Sequence, residues 1–331
     1  MKKGENAIKH KNRTRGKTAS RQLFEEAEEF FKKTYPNRRT CNTYADSYRK
    51  YIRFCREQFG CTTKDECAQH IGEYSAHLQK SGYSASTIHT YLAAVCVYHG
   101  VDMREIEKPK RHSYDYKRGR SNNGRVKRSD NDCANPKYER TVSFQSAVGI
   151  RRAELLRLTG DDFVVDESGY PCVRVKRGKG GKMQLQRILP ENVELVKSFF
   201  AQEPKKGRLF LPEELVNKIN YHALRAKNAK DAYAYYNEKL IGENGEAYRK
   251  QLTDEILRRW NKYCIDEKTG SPKPINRARL TGTYKLRGGC RETAIEKGLP
   301  TEYDCLALMA VSVFHLSHWR LDVTVASYMT A

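Results

Sequence analysis

The sequence predicts a mostly α-helical chain with one small antiparallel sheet, an α+β arrangement in its later part. Three observations carry this reading. Residues 22–100 hold four segments of helical apolar period, the stretch from about Lys108 to Pro136 has no periodicity and is basic, and short strand-like runs surround a glycine-rich turn near residue 180. The expected organisation is a basic arm (1–19), a helical domain (20–103), a basic linker (104–136) and an α+β domain (137–331).

Leu23, Ala27, Phe30 and Phe31 mark the first helix, and Tyr44, Tyr48, Tyr51, Ile52, Cys55 and Phe59 form the stripe of the second. The third is expected to start at a capping box, Thr63-x-x-Glu66, and to bury Ala68, Ile71, Tyr74 and Leu78. Ser84 is placed to cap the fourth, which uses Ile88, Tyr91, Leu92, Val95 and Tyr98 and stops at Gly100. In the linker, basic groups at 110–112, 117–120 and 125–128 alternate with Ser, Asn and Gly, a composition that stays solvated alone and orders on a polyanion. From Tyr138 a helix leads into Gly149 and another runs from Arg151 to about Leu158. Strands are expected at Val164-Val165, Cys172–Val175 and Met183–Leu189, then helices at 193–200, 224–240, 252–264 and 305–315, with no internal repeat.

Lys and Arg total 62 against 40 Asp and Glu, a net charge of +22 that exceeds what solubility needs. A nucleic acid is the natural partner, because phosphate contacts release condensed counterions. Met1 to Lys17 is basic and polar, unlike a secretory signal, and no apolar run is long enough to span a membrane. The ten cysteines include no C-x-x-C pair and read as reduced residues of a cytoplasmic protein. The group Cys55, Cys61, Cys67 and His70 matches no standard zinc spacing, so no metal is expected.

Breaking a phosphodiester without metal needs cationic donors around the nonbridging oxygens, and a nucleophile and a proton donor flanking phosphorus. Gly149-Ile-Arg151-Arg152 places Arg151 at a helix start, where its fork and the backbone amides could meet a phosphate; the competing reading is a surface arginine. Lys179, in the turn Arg177-Gly-Lys-Gly-Gly-Lys182, could protonate a leaving oxygen or be a solvated turn lysine. His222 and Arg225 share one face of a helix. Leu316-Ser-His318 and Tyr328 close the series, and could equally be a buried histidine and a core tyrosine.

Each motif is ambiguous alone, but together, in this order, they resemble the tyrosine recombinase (integrase) family. The likeness runs from about residue 20 onward, since the helical segment and linker resemble that family's core-binding domain. It implies a helical core-binding domain and a catalytic domain closing on double-stranded DNA. It also implies a 3′-phosphotyrosyl intermediate, which conserves the bond energy so that no cofactor is needed. Carried over, Arg151 and Arg225 would stabilise the phosphorane, Lys179 would be the general acid, His222 would assist proton transfer, His318 would bind the phosphate and Tyr328 would be the nucleophile. Arg118, Arg120, Arg125, Lys127, Arg128, Arg152, Lys182, Arg287 and Arg291 are the expected DNA contacts. The task implied is integration or excision of a mobile element by a homotetramer on DNA, with accessory DNA-bending or directionality factors as further partners.

Three departures stand beside the likeness. Ser317 occupies a position where the family usually has glycine. Residues at about 241–303 form an apparent insertion, within which Tyr284-Lys-Leu-Arg287 competes with His222/Arg225 as the second box; the retained histidine favours the latter. Only Met329, Thr330 and Ala331 follow Tyr328, so subunit docking is expected to use other residues, or the chain is cut short. Two other classes share part of the pattern: a non-catalytic DNA-binding protein with the same fold, and a type IB topoisomerase-like enzyme.

Overall fold

The computed structural model describes residues 20–112, 133–178, 183–266 and 269–330. It is rich in α-helix with small antiparallel sheets, and it divides into two compact units, Met1–Arg111 and His112–Ala331. No helix among the described residues is long and apolar enough to cross a membrane.

In the first unit, helix α1 (20–34) is followed by α2 (Arg38–Phe59), α3 (Lys64–Ala68), α4 (Ile71–Lys80) and α5 (Ala85–His99). The local rules read from the sequence operate here: the Thr63/Glu66 capping box forms, and the Ser84 side chain accepts from the Thr87 amide. Gly60 and Gly100 end α2 and α5 in the left-handed conformation. The core is aromatic, with Phe31, Tyr48, Tyr51, Tyr74 and Tyr98 buried and in edge or tilted contact. The third expected helix is split in two. The Cys67 carbonyl accepts from the His70 amide at 3.0 Å and from the Tyr51 hydroxyl, which tightens the chain into a turn before Ile71 restarts the helix. Cys55, Cys61 and Cys67 fill buried positions, while His70 stacks on Phe59 at 3.8 Å. Residues 104–109, expected to begin the linker, are held on this unit: Ser75 donates to the Glu107 carbonyl, and His89 bonds the Pro109 carbonyl at 2.8 Å.

The second unit opens with α6 (Glu139–Val148) and the single turn α7 (Arg152–Leu155), shorter than its apolar spacing suggested. A three-stranded antiparallel sheet follows in the order β1 (Phe163–Val165), β2 (Pro171–Val175), β3 (Gln184–Arg187). Helices α8 (Val193–Ala201), α9 (Tyr221–Ile241) and α10 (Gly245–Tyr263) come next. A ribbon of β4 (Thr283–Lys285) and β5 (Glu302–Asp304), not anticipated from the sequence, brackets α11 (Gly288–Glu296). Helix α12 (Cys305–Ala310) runs into a π-helical turn, Val311–Leu316, and α13 (Leu321–Thr324) runs into another, Val325–Met329. Every residue from Cys305 to Leu316 is buried, so this is the central helix of the unit.

The segment at about 241–303 is part of the core. Leu252 and Ile256 of α10, with Leu280, Leu286, Ala294 and Tyr303, join α9 and α12 in one apolar cluster. A buried ionic network ties α10 to the sheet. Arg187 on β3 pairs with Asp166 at 2.8 Å and with Glu255 at 2.8 Å, and Arg259 reaches Asp166 at 3.1 Å. Burial pushes the Asp166 carboxyl up, but Arg187, the Tyr170 amide and Arg259 hold it below its ordinary value.

Replacing Arg187 by Met strands the buried Glu255 carboxylate and leaves Asp166 with Arg259 alone, so urea unfolding should show a loss of about 3–5 kcal/mol. Because the folded Asp166 carboxyl lies below its unfolded value, its stabilisation is complete above about pH 4 and is lost as the pH falls through the depressed value. The decline in stability below about pH 4 should therefore be shallower in Asp166→Asn than in the parent.

Candidate active site

The candidate site is assembled where α6, α9, α12 and the chain's last helical turns meet. Asn220 starts α9 by accepting from the Ala223 amide, and the buried face of α9 then presents Leu224, Arg225, Ala226, Asn228 and Ala229. Asn228 fixes the approach of α6 by donating to the Ala147 and Ser146 carbonyls at 2.9 and 3.2 Å. The chain turns away at Gly149, with φ +66°, close enough that a β-carbon there would sit 2.7 Å from the Asn228 side-chain oxygen. Only glycine satisfies both conditions.

Arg225 is 1% exposed, and each of its three nitrogens donates to a protein oxygen. Nε donates to the Tyr328 hydroxyl at 3.3 Å, one terminal nitrogen to the Leu316 carbonyl at 2.8 Å, and the other to the Gly149 carbonyl. Burial lowers the affinity of this guanidinium for its proton, Tyr328 acts to restore it, and Arg151 acts against it. On its other side the Tyr328 hydroxyl shares a 2.9 Å hydrogen bond with His318 Nε2. Because a guanidinium can only donate, the phenolic oxygen accepts from Arg225, while the direction of its second bond is set by the His318 tautomer. A phenolic oxygen thus sits between a buried guanidinium and an imidazole.

Arg151 stands just before α7, partly buried, with a 2.7 Å ion pair to the buried carboxylate of Glu154. Glu154 also takes the Arg151 amide at 2.8 Å, so that amide is committed within the protein. Arg152, expected to touch DNA, donates its Nε to the Leu215 carbonyl at 2.7 Å. His222 is exposed on the first turn of α9, one turn before buried Arg225. Arg287 and Arg291 are exposed at and after the start of α11, and Tyr284 lies on β4. Lys179 and Lys182 in the β2–β3 connection lie outside the described residues, as do Arg118, Arg120, Arg125, Lys127 and Arg128.

Three contributors were missed in the sequence. Glu154 signals itself only as a carboxylate three positions after Arg151, an ordinary helical spacing. Asn228 reads as a polar residue on a helix. Ser312 pins the His318 loop: its carbonyl accepts the His318 amide at 3.0 Å and its hydroxyl accepts the Arg320 amide at 2.9 Å.

That loop is strained. Ser317 (φ 52°) and Trp319 (φ 59°) are the two non-glycine residues with positive φ among those described, and they flank His318. Each costs on the order of 1–2 kcal/mol. Ser317→Gly removes one of these costs and should raise stability by about 0.5–1 kcal/mol in a denaturant titration. An equal or larger loss would mean that the serine side chain contributes more than its backbone strain removes.

No family model matches the sequence, and no curated protein matches it. Among solved structures the chain is similar to one described as the crystal structure of XerA recombinase, at 16% identity, covering 66% of this chain and 85% of that one with a TM-score of 0.24.

Proposed function

We propose that the protein is a tyrosine-type site-specific DNA recombinase that cuts and rejoins strands through a 3′-phosphotyrosyl link at Tyr328. One observation carries the reading: Tyr328, ten residues after His318 and 103 after Arg225, has its hydroxyl held between those two side chains. A core tyrosine has no need of a buried guanidinium and an imidazole on the same oxygen. The net charge of +22 supplies the affinity for a polyanion.

In the proposed reaction the Tyr328 oxygen attacks phosphorus, the P–O5′ bond breaks, and the 5′ oxygen leaves with a proton. With Nε2 unprotonated, His318 would accept the phenolic proton, and negative charge at phosphorus would be met by Arg225 and Arg151. Lys179 is the proposed donor to the leaving oxygen, and His222, at the rim, the proposed assistant in proton transfer. Rejoining reverses the step, with a 5′-hydroxyl displacing the tyrosine. Four protomers on two sites would exchange strands in turn, integrating or excising a mobile element.

The test is covalent trapping on nicked suicide DNA from the flanks of the protein's own gene, read on a denaturing gel. The parent chain should give a shifted band that Tyr328→Phe abolishes while still binding DNA. An adduct in Tyr328→Phe would overturn the assignment. Arg225→Lys should lose on the order of a hundredfold or more in adduct rate, against a small loss for Arg287→Ala; the reverse ranking would move the second box to residues 284–287. Affinity should fall roughly a thousandfold or more between about 50 and 200 mM salt, and a flat response would argue against a DNA clamp.

A further inference from the structure

Trp260 lies on α10, within the segment that the sequence marks as an insertion, and is buried. Its indole N–H donates to the Lys273 carbonyl at 2.7 Å, which fixes the ring's orientation. The ring meets Trp319 edge to face, with centroids 5.6 Å apart and planes at 79°. Trp319 is the half-buried neighbour of His318 and one of the two left-handed residues that shape this loop. A bulky side chain holds such a backbone conformation only where its surroundings impose it. Ser312 secures the amides of His318 and Arg320, but among the ring contacts of the described residues Trp319 has Trp260.

We propose that Trp260 is a positioning residue for the His318–Tyr328 pair: by bracing Trp319 it keeps the His318 loop turned toward the tyrosine hydroxyl. The extra segment then serves the site directly, through one aromatic contact. The effect on reaction rate rests on the recombinase reading above, whereas the effect on His318 geometry does not.

The full chain, labelled with ¹⁵N-histidine, gives a readout independent of activity. The His318 ring resonances, assigned by His318→Gln, should shift in Tyr328→Phe because the hydrogen bond is lost. Trp260→Leu should shift them in the same sense and slow adduct formation on the order of tenfold, with DNA affinity unchanged. Trp260→Phe, which retains an aromatic edge, should restore both. Should Trp260→Leu fail to fold, Trp319→Leu removes the same contact from its more exposed side and is read identically. A purely structural role would lower the unfolding midpoint yet leave the His318 resonances and the adduct rate of the folded protein at parent values, and that result would overturn the proposal. If the parent forms no adduct on DNA that it binds while Trp260→Leu still moves the His318 resonances, the recombinase reading fails and the positioning role stands.

Discussion

A guanidinium withdrawn from water must find an oxygen for each of its donors, and the segments that supply those oxygens are thereby fixed to one another. Arg225 sets this constraint on the second unit. Its partners are the Gly149 carbonyl at the end of α6, the Leu316 carbonyl at the end of the central buried helix, and the Tyr328 hydroxyl near the end of the chain. No apolar side chain could impose the same arrangement, because dispersion contacts are non-directional and tolerate repacking. The positive φ at Gly149 and the anchoring of α6 by Asn228 follow from the need to bring a carbonyl to this point.

The other polar investments of the fold lie close by. The Arg187, Asp166, Glu255 and Arg259 network fastens α10 to the sheet, and the Arg187 and Arg259 guanidinium groups lie over the ring of Phe314 on the helix that carries the site loop. The two π-helical turns fall immediately before Ser317 and across Tyr328. Such turns recur at functional sites because one extra residue per turn re-aims the side chains that follow. Here the re-aimed residues are His318 and Tyr328, and left-handed backbone at Ser317 and Trp319 completes the redirection. Strain at two residues flanking one histidine, next to a dense polar network, is a conformation that only the surrounding structure can impose.

Much of this was legible in the sequence, where the governing physics is local. Helical period located α1, α2 and α5, and capping chemistry located the start of α3 and both ends of α5; short apolar runs found the three-stranded sheet within a residue or two. What escaped depends on partners distant in sequence. The break after Cys67 is imposed by Tyr51, sixteen residues away, and the β4–β5 ribbon pairs short strands whose own patterns are too brief to signal. The ion network joins residues up to 93 positions apart. At the site, the resemblance singled out His318 and Tyr328, but the left-handed conformation at Ser317 was not legible, because serine carries no signature for it.

The two candidate arginines differ in burial, which spacing leaves open. His222-x-x-Arg225 and Tyr284-x-x-Arg287 have the same spacing, so periodicity weighs them equally. In the fold, Arg287 is exposed, where water screens its charge and its side chain samples many rotamers. Arg225 is fixed against Tyr328 in a surrounding from which water is excluded. The desolvation of its charge was met when the chain folded, so little reorganisation would remain were negative charge to appear beside it. The same charge on the surface would first have to be ordered and desolvated. A buried cation held by three protein oxygens is costly to fold, and the exclusion of water that makes it costly is the reason its field is strong and its direction fixed.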